Sequence, residues 1–276
     1  MSDGTSNDTS NDTSNDIVFT PRDHLVVVVA HPDDETFGCG SIIARARASG
    51  ARVSIVCATR GEAGEPTAVV DLSVRTLGEV REAELHTAAS ILGAHHVELL
   101  GYEDSGFDAA LADRTLCAAP LDDLTARIAD ALDRLSPTVV LTLDGCDGHR
   151  DHVHVRDAVD AATVDRGCCV FHATIPNSIM RLWLDEKREA GESSAYHEID
   201  PAQFGRPDAD VTHRLDVRDV LDVRLRAIAA HASQHSPFEG LSTPLRDAFL
   251  CTDHLVAVKA LSTATERTSS PRLAHV

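Results

Sequence analysis

The sequence predicts an α/β fold, a Rossmann-like and mostly parallel sheet with helices on both faces, whose active site lies at the C-terminal ends of strands 1 and 4. Three observations predict it. Short runs rich in Val and Ile alternate with longer segments of helical spacing. Of 276 residues, 43% are hydrophobic but only 4% aromatic, so the core is built from Val, Leu, Ile and Ala, as buried parallel strands flanked by Ala-rich helices require. Clusters of His and Asp follow two of the apolar runs directly, where open α/β sheets bind their ligands.

Taken in order, the chain begins with Thr-Ser-Asn-Asp written three times from Thr5 to Asp16. Such a stretch has nothing to bury and cannot offset its ordering entropy, so residues 1–20 read as a disordered tail. His24 to Ala30 is the first strand, Gly40 to Ala48 begins a helix, and Arg52 to Thr59 is the second strand. Glu79 to Leu92 places Val80, Ala83, Leu85, Ala88, Ala89 and Leu92 at helical spacing, with Gly93 as its stop. Val97 to Leu100 is a third strand. Asp122 to Leu135 is an amphipathic helix ended by Ser136 and Pro137, and Thr138 to Leu143 is the fourth strand. Beyond it, Val170 to Ile175 reads as a strand and Val217 to His231 as a helix. Residues 21–261 form a single domain with a C-terminal elaboration, and 262–276 are a polar tail.

Composition excludes several classes of function. A net charge of −19 and a pI near 5.0 oppose binding to a polyphosphate backbone, so nucleic acid is not expected as a partner. The seven cysteines are scattered, odd in number and without a C-x-x-C pair, which indicates neither a disulfide framework nor a thiolate zinc site. No basic leader is visible, and the longest apolar run, Leu25 to Ala30, is too short to cross a bilayer. A cytoplasmic protein without a membrane partner is expected.

The chemistry concentrates in two places. After strand 1 stands Ala30-His31-Pro32-Asp33-Asp34-Glu35, which offers an imidazole and several carboxylates within five residues. That set supplies two metal ligands and still leaves a carboxylate free, as hydrolysis at zinc requires; the alternative is a loop whose Asp residues merely cap the next helix. After strand 4 stands Asp144 to His154, with His149 and His152 three residues apart at the start of a helix. With strand order 3-2-1-4, strands 1 and 4 are neighbours at the switch point and both clusters face one crevice. The Gly38-Cys39-Gly40 turn lacks the third glycine of a dinucleotide loop, since Ile43 stands in its place.

Five motifs in order, AHPDDE, TRGEAG (59–64), VREAEL (80–85), YEDSG (102–106) and GHRDHVH (148–154), resemble the LmbE-like, or PIG-L-like, zinc N-deacetylases over residues 24 to 165. The resemblance implies removal of an N-acetyl group from an N-acetylglucosamine conjugate, either a thiol precursor or a secondary metabolite such as a glycopeptide antibiotic intermediate. It implies Zn2+ held by His31, Asp34 and His152, with Asp33 unligated as general base and a protonated His149 supporting the oxyanion. Asp151 is then the carboxylate that orients His149, while Arg81 and Asp104 contact the sugar. Glu62 is a further candidate for the pocket, and His154, His231 and Gln234 are candidates for support around it. Where the family commonly has proline between His and Asp, this chain has Arg150, a change that bears on the loop or the substrate rim. Two other readings use the same side chains: metal-dependent phosphoester hydrolysis, which favours two metals, and a non-catalytic metal-binding protein.

Overall fold

The computed structural model describes residues 16–107, 110–191 and 195–259. In chain order the main elements are β1 (His24–Val29), α1 (Asp34–Phe37), α2 (Gly40–Ala48), β2 (Arg52–Cys57), α3 (Leu77–Leu92), β3 (His96–Leu99), α4 (Leu121–Leu135) and β4 (Val139–Leu143). There follow α5 (Arg150–Thr163), β5 (Cys169–Thr174), α6 (Asn177–Glu189), β6 (His213–Asp216), α7 (Leu221–Ile228), α8 (Thr243–Leu250) and β7 (Thr252–Lys259). The seven strands form one sheet in the order β3-β2-β1-β4-β5-β7-β6. The first five run parallel, and β7 pairs antiparallel with both β5 and β6.

The expected strand order 3-2-1-4 is present, and β1 pairs with β4 in the register Val26↔Val140. Successive residues of β1 point to opposite faces, so each face acquires its own core. Leu25, Val27 and Val29 pack with Ile42, Ile43, Leu85 and Leu92 from α2 and α3. Val26 and Val28 pack on the other side with Leu124, Ile128 and Leu132 of α4 and with Val155 and Val159 of α5. Every residue of β1 is buried, and a large-to-small change such as Leu25→Ala there would cost about 2–5 kcal/mol.

Several boundaries differ from the sequence reading for local reasons. α3 starts two residues before the expected Glu79, because Thr76 and Glu79 form a reciprocal capping box. It stops where expected, on Gly93 at φ 80°. The expected helix over 217–231 is shorter, a 3-10 turn at Arg218–Val220 leading into α7, because Val217 and Val220 turn into the core. The boundary at residue 20 needs correction: Phe19 is buried in the main core and Ile17 packs against it, so the ordered domain begins before residue 21. The repeat at 5–16 lies almost wholly outside the described residues, as does the tail at 262–276. Among the described residues no helix is long and apolar enough to cross a membrane.

Candidate active site

Both clusters open at the carboxyl ends of adjacent strands. Behind β1 the chain turns so sharply that Asp33 adopts φ 109°, a conformation costly for a residue with a Cβ. The turn is held from behind: the Asp33 N–H donates to Glu35 Oε2 (2.9 Å), and Glu35 Oε1 faces His231 Nε2 (2.7 Å) and accepts from the Thr36 hydroxyl (2.6 Å). Asp33 precedes α1 but makes no side-chain capping bond, so its carboxylate is not spent on the helix.

Three side chains converge in front of this turn. His31 Nδ1 is 3.3 Å from His152 Nε2, Asp34 Oδ1 is 3.2 Å from His152 Nε2, and Asp34 Oδ2 is 3.6 Å from His31 Nδ1. A tetrahedral ion with bonds of about 2.0–2.1 Å separates its ligands by about 3.3–3.4 Å. The outer nitrogen of each imidazole is engaged by carboxylates. His31 Nε2 faces Asp151 Oδ2 (3.2 Å) and Asp104 Oδ1 (3.4 Å), and His152 Nδ1 faces Asp147 Oδ2 (2.7 Å). With the protons on those outer nitrogens, both inner nitrogens present lone pairs to each other and to Asp34, an arrangement that repels itself unless a cation lies between. Burial alone would lower both imidazoles, yet the carboxylates raise His31 well above its ordinary value and His152 to about 10. Two further sets bring one ligand atom from each residue within 4.8 Å of one another, His31 with His149 and His152, and His31 with Asp104 and Asp151.

Asp33 points past this group. Burial raises its carboxyl to about 6, opposed first by the Arg81 guanidinium, whose Nη2 donates to Asp33 Oδ2 at 3.0 Å. Arg81 was expected at the sugar; it is only 4% exposed, and it also donates to the carbonyls of Pro32 (2.5 Å) and Gly61 (2.8 Å). It grips Asp33 and the turn beneath it. Asp104, likewise expected at the sugar, turns its carboxylate toward His31. Glu62 is exposed and accepts from the Asp104 N–H (3.2 Å), supporting that loop from outside.

Asp151 and His149, expected as partners, meet through the backbone rather than the carboxylate. The Asp151 carboxylate serves His31, and it also accepts from the Ser105 N–H (3.0 Å) and the Cys117 thiol (2.9 Å). Its link to His149 is the backbone, since Asp151 N–H donates to His149 Nδ1 (3.2 Å) at the start of α5. That bond leaves the proton of a neutral His149 on Nε2. Burial, then the neighbouring His31 and His152, push His149 down to about 4. Arg150 binds the facing loop, with Nε on the Gly106 carbonyl (2.8 Å) and Nη2 on the Ser105 carbonyl.

Sequence reasoning missed Asp147 and Tyr196, and it named His231 as a supporting candidate without its partner Glu35. Asp147 stands two residues before His149 in the same loop, and its spacing to His152 was a usable signal. The Glu35–His231 pair spans almost the whole chain, and Tyr196 comes from the C-terminal elaboration; no local pattern marks either. His154 bonds the Ala119 carbonyl (3.1 Å), and Gln234 donates to Ser233 (2.7 Å).

Comparison with known proteins adds what geometry lacks. The model of the PIG-L family, described as GlcNAc-PI de-N-acetylase, matches residues 26–163. A 1D-myo-inositol 2-acetamido-2-deoxy-alpha-D-glucopyranoside deacetylase of Acidothermus cellulolyticus is 35% identical over 243 residues, covering 79% of this chain and 82% of its own. The N,N'-diacetylchitobiose deacetylase of Pyrococcus horikoshii shares the fold at a TM-score of 0.57 and 18% identity, over 85% and 83% of the two chains. The 4-carboxy-2-hydroxymuconate hydratase of Pseudomonas putida, also 18% identical, reaches the same 0.57 over 87% and 98%. The fold alone therefore does not specify a deacetylase, and the reaction must be argued from the site.

Proposed function

Because this chain belongs to the PIG-L family of GlcNAc-PI de-N-acetylases, it is an N-deacetylase, and we propose that it hydrolyses the N-acetyl group of a small N-acetylglucosamine conjugate at a zinc ion. The observation that carries the reading is the convergence of three side chains, His31, Asp34 and His152, beside an aspartate that does not join them. We assign those three as ligands and Asp33 as general base.

When bound, zinc supplies Lewis acidity toward the amide carbonyl and acidifies water in its open position. Asp33, ionised and aimed by Arg81, takes the proton of the attacking water, a role typically worth about 10²–10⁴-fold in rate. His149 donates from Nε2 to the carbonyl oxygen as that oxygen becomes negative. The proton held by Asp33 is then available to the departing amine. Asp151, Asp104 and Asp147 hold the two imidazole ligands in the required tautomers. Phosphoester hydrolysis at two metals is not favoured, because the carboxylates beside the cluster are committed to orienting imidazoles. For the sugar conjugate, the support is the inositol-linked glucosaminide named for the Acidothermus relative.

The test is acetate release by zinc-reconstituted protein from inositol-linked, small-aglycone and natural-product-linked N-acetylglucosamine. The expected result is turnover confined to one aglycone class, lost in Asp33→Ala with zinc retained, and lost with the zinc in His152→Ala. Zinc-loaded protein that releases acetate from none of them would overturn the reading.

A further inference from the structure

The C-terminal elaboration reaches the cleft through the 3-10 turn Ala195–Glu198. Phe107 packs edge-on against His149 at 5.6 Å between ring centroids, and against Tyr196 at 5.0 Å. From behind, Trp183 and Phe204 fix the Tyr196 ring at 5.7 and 5.8 Å, within a cluster that includes Met180 and Leu184 of α6. The same segment presses on the loop that presents His149. Gly148, at φ 81°, lies under it: a Cβ there would come 2.7 Å from Ile199 Cδ1, so the Ile199 side chain would have to shift.

Tyr196 is thus gripped by its ring on several sides, yet its hydroxyl bonds no group among the described residues, and none of its polar atoms is sealed off from solvent. The ring is held while the hydroxyl stays open to solvent, and so to a ligand that displaces water from it. Burial, then the carboxylates of Asp147, Asp33 and Asp34, raise its pKa well above the ordinary tyrosine value. The phenol therefore keeps its proton at any working pH.

On the deacetylase reading above, we infer that Tyr196 is a further catalytic residue, whose O–H donates a hydrogen bond to the acyl oxygen of the substrate while the proton stays on tyrosine. The donor joins His149 at the same oxygen, and the two are kept in a fixed relation by Phe107 between their rings. No bond to Tyr196 forms or breaks. The residue is presented by the elaboration, outside the 26–163 region that matches the family model.

The test uses Tyr196→Phe, which removes one oxygen and keeps the ring packing. Acetate release and the affinity for acetate itself, read by isothermal titration, are measured on zinc-loaded wild type and variant. The expected result is kcat lower by about 100-fold with KM, zinc content and melting temperature unchanged, and acetate bound about tenfold more weakly. Wild-type kcat and acetate affinity in Tyr196→Phe, with a defect only in Tyr196→Ala, would make the residue a wall and overturn the inference. Wild type that releases no acetate from any conjugate, but binds it in a manner dependent on Tyr196, would overturn the deacetylase reading and leave this contact standing. Wild type that neither releases nor binds acetate would overturn both.

Discussion

Asp151 Oδ2 lies 3.2 Å from His31 Nε2, while the backbone N–H of the same aspartate reaches His149 Nδ1. One residue thereby sets the tautomers of two imidazoles with different duties. Asp151→Asn keeps the backbone bond and weakens the carboxylate, so it should lower zinc affinity by about 10- to 100-fold in a chelator competition. Asp147→Asn should do the same through His152, and the remaining zinc-loaded fraction should turn over with nearly wild-type kcat. Undiminished affinity in both variants would show that the carboxylates do not tune the ligands.

Arg81 and Asp33 predict a pH effect with a definite sign. The guanidinium lowers the Asp33 pKa, so its removal raises that pKa and moves the acidic limb of the kcat profile to higher pH. Arg81→Met should show this shift together with lost stability, since it leaves a buried carboxylate unpaired. Arg81→Lys should restore part of both. A limb that stays in place in Arg81→Met would remove Arg81 from the control of the base.

Arg150 occupies the first position of α5, where a proline is pre-organised for the helix. Arg150→Pro should therefore fold and hold zinc as the wild type does, but it releases the Ser105 and Gly106 carbonyls. The loop bearing Asp104 and Phe107 loses its clamp, and KM for the sugar conjugate should rise several-fold with little change in melting temperature. Unchanged KM would make the clamp incidental.

His24 supplies a stability prediction remote from the cleft. Its ring lies between the Leu135 carbonyl (2.7 Å) and the Ser54 hydroxyl (2.9 Å), and burial lowers its pKa below 6.5, partly offset by Leu135. The unfolded chain therefore binds more protons just below pH 6.5. The contribution is complete above that pH and is lost as pH falls toward the folded-state pKa. Urea unfolding across this range should show a shallower acid loss in His24→Gln than in wild type; parallel curves would contradict it.

The sheet was legible because burial on both faces forces unbroken Val-rich runs, and because the loops after β1 and β4 carry their ligands within a few residues of the strand ends. Partnerships were not. Which imidazole a carboxylate serves depends on side-chain direction across the crevice, so the Asp151–His31 and Arg81–Asp33 contacts carry no local sequence signal. The antiparallel β6–β7 edge is placed by pairing with β5 and Tyr196 by packing on α6, neither of which periodicity marks.

The φ of 109° at Asp33 implies an exchange of robustness for activity. Such a backbone typically costs about 1–3 kcal/mol in a residue other than glycine, and here it is sustained by Glu35 and His231 from behind. Asp33→Gly relieves that strain while deleting the base, so the inert variant should melt at a higher temperature than the working enzyme despite the added flexibility of its unfolded chain. The residue that makes the site reactive is, on this account, among those that hold the protein below the stability its fold could reach.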